Sequence, residues 1–289
     1  MLSSALVAGF GLGSMYGLIA LGFTLTFAVS GTVNFAQGSS FMLGAVSLHL
    51  LAISYHWPMG VAVVASLLIC AAWGLVVERL AIRPFVVKGS NAWLMATVAL
   101  GIVLDNCAMA VFGKEPRALD SMFADEPWII AGVGVFPLQL IIPAVGLTLA
   151  ALLQQGLTRT VLGLKLRATV QNSDAARLMG INVTALVAVT FAIAAAFAGI
   201  AGMLVAPLFN VAYDMGTLFG IKAFAVAILG GMSRPWGVVL AGLAFGLLEA
   251  TTTSLLGSGS TQIVTFSLVI VALAIAPEGL FARRRTIRV

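Results

Sequence analysis

Not one Asp, Glu, Lys or Arg occurs before Glu78. A helix that crosses a bilayer needs about 20 apolar residues. The first 77 residues therefore hold about three spans. An average soluble domain is about 25% charged; this chain of 289 residues is 9% charged and 61% hydrophobic. That composition excludes a cytosolic or secreted globular enzyme. The apolar runs are long and continuous, without the alternation of a membrane β-barrel. The fold class is therefore all-α, a polytopic transmembrane helical bundle.

Nine apolar segments are predicted, at roughly 5–29, 33–53, 58–77, 92–112, 137–156, 184–206, 218–232, 235–256 and 261–277. The seventh is short enough to be re-entrant, which would leave eight full spans. No basic region precedes the first apolar run, so it reads as a span and not a cleaved signal peptide. Basic residues set the orientation. With the N-terminus outside, the pieces 78–91, 157–183, the corner at Ser233 and Arg234, and the tail 278–289 all face the cytoplasm. They hold twelve of the fifteen Lys and Arg. The outer loop 113–136 carries Lys114 and Arg117 beside Glu115, Asp120, Asp125 and Glu126. The C-terminus is then cytoplasmic, and Arg283, Arg284, Arg285 and Arg288 read as a membrane anchor and not as a nucleic-acid patch.

Small residues recur at helical spacing. Gly9, Gly13 and Gly17 share one face, and Ala195 with Gly199 and Gly242 with Gly246 repeat the device. Such faces let helices approach closely in lipid. Cys70 and Cys107 lie in different segments and read as small buried hydrophobes, with no disulfide and no metal site. His49 and His56 fall near one outer end and read as interfacial.

Three stretches are candidates for function. The first, Ser30 to Ser40, joins the first two spans. Its glycines and polar side chains weaken a continuous helix, and irregular backbone at membrane depth is tolerated only against protein or a water-filled cavity. Asn34, Gln37, Gly38 and Ser39 are its candidate solute-path residues. Interhelical hydrogen bonding is the competing use. The second is the set of intramembrane charges Asp105, Lys222 and Glu249, which fall at similar depth. Such groups pair with one another or line a path, and a Lys222–carboxylate pair is the simpler arrangement. The third is the loop 157–183. Asn172, Ser173 and Asp174 make a helix start and Gly180 a stop. Between them Ala175, Leu178 and Met179 share a face. This predicts a short amphipathic helix on the cytoplasmic surface, resting on lipid headgroups or docked in a partner's groove. No phosphate-binding loop of the form GxxxxGK[ST], no HExxH and no GxSxG occurs, so no catalytic constellation is evident.

Four ordered blocks carry a resemblance: Gly13 to Phe27, Val33-Asn34-Phe35-Ala36-Gln37-Gly38, Ala168 to Asn182, and Gly220 through Gly231. Over nearly the whole chain they resemble the permease subunits of branched-chain amino acid ABC importers, the shorter LivH-like member of the pair. The resemblance implies one permease domain over 1–289 in a bacterial inner membrane, with no enzymatic activity and no cofactor of its own. ATP and Mg would belong to partner subunits. It implies a heterodimer with a second permease, two ATP-binding subunits and a periplasmic solute-binding protein, with membrane lipid around it. It also gives a role to Asp174, Ala175, Ala176, Arg177, Leu178, Met179 and Gly180. They fit the family's E-A-A-x-x-x-G signature, with Asp for Glu, and the helix they form would couple to the ATPase. A loaded binding protein would dock on loops 113–136 and 207–217, and alternating access would follow from ATPase closure. In the second block the family usually has His where this chain has Gln37. Gln37 keeps donors and acceptors but does not titrate. The solute therefore stays open between branched-chain amino acids and the urea, short amides or aromatic acids that related importers handle. A self-sufficient secondary transporter is the alternative from another class.

Overall fold

Every side chain from Gly13 to Thr26 is buried, on all faces of one long helix. This is α1 (Leu2–Ser30), and a helix apolar all round belongs at the centre of a bundle. The computed structural model describes residues 2–119, 128–130, 133–232, 235–275 and 279. Asp120, Asp125, Glu126, Ser233, Arg234 and the tail arginines Arg283, Arg284, Arg285 and Arg288 lie outside the described residues.

The chain continues as α2 (Gln37–His49), extended by a π-helical turn over Leu50–Ser54. Next comes α3 (Met59–Val77), which starts after Pro58 and runs through a second π-helical turn, Glu78–Ile82, into α4 (Arg83–Val87). Then come α5 (Trp93–Phe112) and a small antiparallel hairpin, β1 (Trp128–Ile130) with β2 (Val133–Val135), Trp128 opposite Val135. After it follow α6 (Pro137–Arg159), α7 (Val161–Gln171), α8 (Ser173–Leu178) and α9 (Val183–Val205). The chain closes with α10 (Met215–Leu229), α11 (Pro235–Leu256) and α12 (Ser258–Ile275).

The all-α class stands, with the hairpin as its one addition. Six helices among the described residues are long and apolar enough to cross a membrane: α1, α3, α5, α6, α9 and α11. Segments seven and nine form the shorter apolar helices α10 and α12. At 15 residues α10 is about 22 Å long, shorter than a bilayer core of about 30 Å.

The glycine faces meet each other. A Cβ at Gly9 would lie 2.9 Å from the Leu247 Cα, one at Gly13 2.7 Å from the Leu243 Cα, and one at Gly17 3.6 Å from the Val239 Cα. Numbers rise along α1 as they fall along α11, so the two helices are antiparallel. Gly242 and Gly246 present their own bare backbone to Gly13. On the other side of the bundle Gly199 of α9 packs against Gly44 of α2 and Cys70 of α3.

Two expectations need correction. Cys107 is exposed, because it sits on the outer face of α5; Cys70 alone is buried. His49 is buried and meets the Phe112 ring edge-on at 5.1 Å, while His56 is exposed. The loop 157–183 holds a further helix, α7, before its short one. Thr160 caps α7 by accepting a hydrogen bond from the Gly163 amide.

Candidate functional site

The connection between α1 and α2 turns back into the bundle. Gly31, at φ +66°, ends α1. By Gln37 the chain is again beside Gly22, whose missing side chain leaves room for the Gln37 amide. Gly22 lies eight residues before Ser30, which is about 12 Å along α1. Thr32, Asn34 and Ala36 are thus buried without being helical. Their polar groups need partners inside the protein. The Asn34 Oδ1 accepts from the Ala36 amide at 3.1 Å, and the Phe35 amide donates to Thr97 Oγ1 at 3.4 Å. Gln37 Nε2 donates to the Ala194 carbonyl of α9 at 2.8 Å, and Asn34 Nδ2 donates to Gln37 Oε1 at 3.4 Å. Both amide side chains are engaged within the protein, and α2 begins at depth because they hold it there.

Gly38 and Ser39, in the first turn of α2, face differently. They front a cavity of about 350 Å³ shared with Phe23, Phe35, Asp105 and Thr217. Gly38 lies backbone to backbone on Gly220 of α10. Asp105 of α5 is half-buried, with the hydroxyls of Ser39 and Thr217 facing its carboxylate. Its Oδ1 has no hydrogen-bond partner among the described residues.

The other two intramembrane charges pair. Lys222 Nζ of α10 donates to Glu249 Oε1 of α11 at 2.5 Å, and both residues are buried. The pair stands at the wall of a second, open cavity of about 850 Å³, which Leu12, Tyr16, Phe209 and Phe219 also line. The Tyr16 ring lies 5.8 Å from Lys222 Nζ. The Tyr16 hydroxyl faces the Glu249 carboxylate, and neither Tyr16 Oη nor Glu249 Oε2 has another hydrogen-bond partner among the described residues. Asp105 takes no part in this pair.

Helix α8 is pinned at both ends. Asn172 Oδ1 accepts from the amides of Asp174 and Ala175 at 3.1 and 2.9 Å. Gly180, at φ +80°, stops it in a conformation that favours glycine. Ala176 is buried beneath the helix, whereas Leu178 is 90% and Met179 82% exposed. Arg177 reaches Asp174 only at 3.9 Å. At the opposite end, loops 113–119 and 207–214 are joined by paired backbone hydrogen bonds between Arg117 and Val211, at 3.0 and 2.8 Å. The 23 residues of α9 separate the two ends by about 34 Å.

Sequence reasoning missed Tyr16 and Thr217. Tyr16 carried a signal: it is the one tyrosine in the first apolar run, 5–29. Thr217 carried none, since hydroxyls commonly bond back to their own helix.

A bundle with six apolar helices long enough to cross a membrane, polar non-helical backbone buried between them and two cavities beside intramembrane charges is that of an integral membrane protein. Residues 5–276 match the family described as branched-chain amino acid transport system / permease component. The high-affinity branched-chain amino acid transport system permease protein BraD of Pseudomonas aeruginosa is 32% identical, over 96% of this chain and 95% of that protein. The corresponding LivH protein of Escherichia coli is 30% identical, over 95% and 94%. The fold is similar to PsaBC from Streptococcus pneumoniae in complex with Fab, with TM-score 0.52 at 12% identity, covering 96% of this chain and 92% of that one. This chain belongs to the branched-chain amino acid transport system permease family. It is a multi-pass permease subunit of an ABC importer in the bacterial inner membrane, a translocation component that works with ATPase subunits and a binding protein.

Proposed function

We propose that this chain is one of two unlike permeases in an ATP-driven importer of branched-chain amino acids or a related small polar solute. Its single domain spans 1–289, with the N-terminus outside, the tail 278–289 in the cytoplasm and eight or nine membrane segments, depending on whether α10 crosses. Two ATP-binding subunits supply the hydrolysis with their own ATP and Mg, and this chain catalyses none. A periplasmic solute-binding protein docks over the outer loops, and the Arg117–Val211 pairing that ties those loops supports their moving as one surface.

The observation that carries this reading is α8. An apolar face of Ala175, Leu178 and Met179 stands uncovered on a helix fixed by Asn172 and Gly180. Exposed apolar side chains on a held helix suit a partner's groove. The segment from Asp174 to Gly180 transmits ATPase closure to α9, whose N-terminus follows directly. The solute passes beside Gly38, Ser39 and Asp105, with Asn34 and Gln37 holding the wall behind them.

The test is reconstitution of the whole importer in proteoliposomes. Leu178→Asp with Met179→Asp alters only exposed side chains, so the melting temperature stays close to wild type. ATP-driven uptake falls to about a tenth or less, because a buried unpaired charge would have to enter the groove. Uptake that proceeds without any ATPase subunit, or survives the double substitution, refutes the reading.

A further inference from the structure

From the cleft between α6 and α9 we infer a binding site for one anionic phospholipid, drawn from the leaflet at the α8 end of the bundle. That leaflet is the cytoplasmic one in the orientation proposed above, and the inference takes nothing else from that reading. The cleft is a cavity of about 370 Å³ between α6, α7 and α9, with Leu25 of α1 at its floor. One wall runs from Leu149 to Thr160 on α6 and the other from Leu186 to Phe197 on α9. Both have lining side chains at i, i+4, i+7 and i+11, a single helix face. Each wall is about 16 Å long, and half of a bilayer core is about 15 Å. Both walls start at the α8 end, so the cleft is one leaflet deep. Its polar groups are already used: the Thr160 and Thr190 hydroxyls donate to the Gly156 and Leu186 carbonyls at 2.6 and 2.8 Å. At the rim, Leu152 and Val189 are exposed on two membrane-crossing helices, whereas Leu25 and Leu166 inside are buried. The cleft therefore opens sideways, where lipid tails lie.

Charge sits only at the α8 end of the cleft. Gly163 of α7 lies backbone to backbone on the Gly156 and Leu157 oxygens, so α7 folds back over the last turn of α6. The face that α7 turns inward is Gly163, Leu166 and Thr169. Lys165 and Arg167 flank Leu166, one on each side of that face. Arg167 Nη2 donates to the Thr158 carbonyl at 3.3 Å, which brings its guanidinium back beside Arg159. Arg159, Lys165 and Arg167 are exposed. None of them pairs with a carboxylate among the described residues, and from 127 to 173 the chain has no Asp or Glu. An apolar slot one leaflet deep beneath three unpaired cations matches a phospholipid, with an acyl chain in the slot and the phosphate on the cations. A protein helix, about 10–12 Å across, is too wide for a slot of this length and volume. A zwitterionic lipid brings its own ammonium to the same cations and gains less. The seated lipid braces α7, which runs through Asn172 directly into α8.

The test titrates the purified, delipidated full chain in detergent with phosphatidylglycerol or phosphatidylcholine and counts retained lipid by native mass spectrometry. One phosphatidylglycerol is retained per chain, about 25-fold or more tightly than phosphatidylcholine, and it slows hydrogen exchange in α7. Each basic residue at a lipid surface is worth about a factor of five. Arg159→Gln with Lys165→Gln therefore weakens phosphatidylglycerol about 25-fold and leaves phosphatidylcholine unchanged; both side chains are exposed, so the melting temperature holds. Gly156→Leu tests the slot. Gly156 lies on the lining face of α6, and nothing is within 4 Å of a Cβ there. The new side chain fills the cleft, keeps the lipid-free melting temperature at or above wild type, and weakens both lipids about tenfold or more. Equal retention of the two lipids, no retention at all, full phosphatidylglycerol affinity in the double variant, or full affinity in Gly156→Leu overturns the site. ATP dependence is read separately in the assembled importer. ATP-driven uptake by a chain that retains no lipid ends this inference and spares the importer reading, whereas ATP-independent uptake ends that reading and leaves the lipid counts to decide the site.

Discussion

One face of α1 offers an internal ruler for helix packing. Gly9, Gly13 and Gly17 lie four residues apart against the backbone of α11, and alanine at each adds the same single carbon. The gain is also shared: alanine is favoured over glycine in a helix by roughly 0.5–1 kcal/mol. Only the distance to the neighbour differs. At Gly17 the new Cβ would sit 3.6 Å from the Val239 Cα, an ordinary contact. At Gly9 it would sit 2.9 Å from the Leu247 Cα, and at Gly13 2.7 Å from both the Gly242 oxygen and the Leu243 Cα. The obstacles are backbone, which cannot rotate aside. To restore about 3.4 Å at Gly13 the helices must part by about 0.7 Å. A gap of that size forfeits about a quarter to a half of the dispersion energy of every atom pair it separates. Gly242 and Gly246 sit in the same seam, so the loss extends along it. The net cost at Gly13 falls in the overpacking range of about 1–3 kcal/mol.

Thermal denaturation of the purified chain in detergent reads this directly, at about 2–4 °C per kcal/mol for a chain of this size. Gly156→Ala is the control, since nothing lies within 4 Å of a Cβ there. The expected order of midpoints is Gly156→Ala and Gly17→Ala at or above wild type, then Gly9→Ala, then Gly13→Ala lowest. A Gly13→Ala protein as stable as Gly17→Ala refutes the claim that α1 and α11 meet backbone to backbone.

Gln37→Leu removes a second donor to the Ala194 carbonyl, which keeps its helical bond within α9, and the acceptor for Asn34, leaving that buried amide unpaired at a cost of about 1–3 kcal/mol. It should lower the melting midpoint by more than Ser39→Ala does, and an equal effect would show that the Gln37 amide does not hold α2 in place. Asn172→Ala removes the cap of α8, worth about 1 kcal/mol. Hydrogen exchange at the Asp174 and Ala175 amides should rise while α9 keeps its protection.

Much of the fold was legible because lipid leaves few choices. A charge-free stretch of 77 residues can only form spans, and glycine faces at a spacing of four can only be contact faces. The caps of α8 were equally legible, since Asn172 and Gly180 act through their own backbone. What the sequence withheld depends on partners distant along the chain. Asp105 and Glu249 are equivalent as carboxylates at similar depth, and only the packing of α10 against α11 decides that Lys222 meets Glu249. Gln37 and Gly38 are neighbours in one polar block, but helical rotation turns one amide to Ala194 and the other residue to a cavity. The hairpin and α7 have weak local signals amid stronger apolar runs.

The polar groups inside the bundle fall into two kinds, and the difference separates scaffold from site. Around Asn34 and Gln37 the side-chain amides are matched to partners, as a non-helical segment at membrane depth requires. Around Glu249, Tyr16 and Asp105 the matching is looser. Each keeps a buried oxygen with no further hydrogen-bond partner among the described residues. An unsatisfied buried group costs about 1–3 kcal/mol, more for a charged one. His49, Ser66 and Trp73 also carry such an atom, but the carboxylate oxygens are the costly ones, and both residues border a cavity. Glu249 has a hydroxyl beside it, that of Tyr16. The amides of the connecting segment are thus fully used in holding the backbone at depth, whereas the carboxylates of α5 and α11 are held by hydroxyls and by Lys222 beside the two cavities, which separates scaffold from cavity wall.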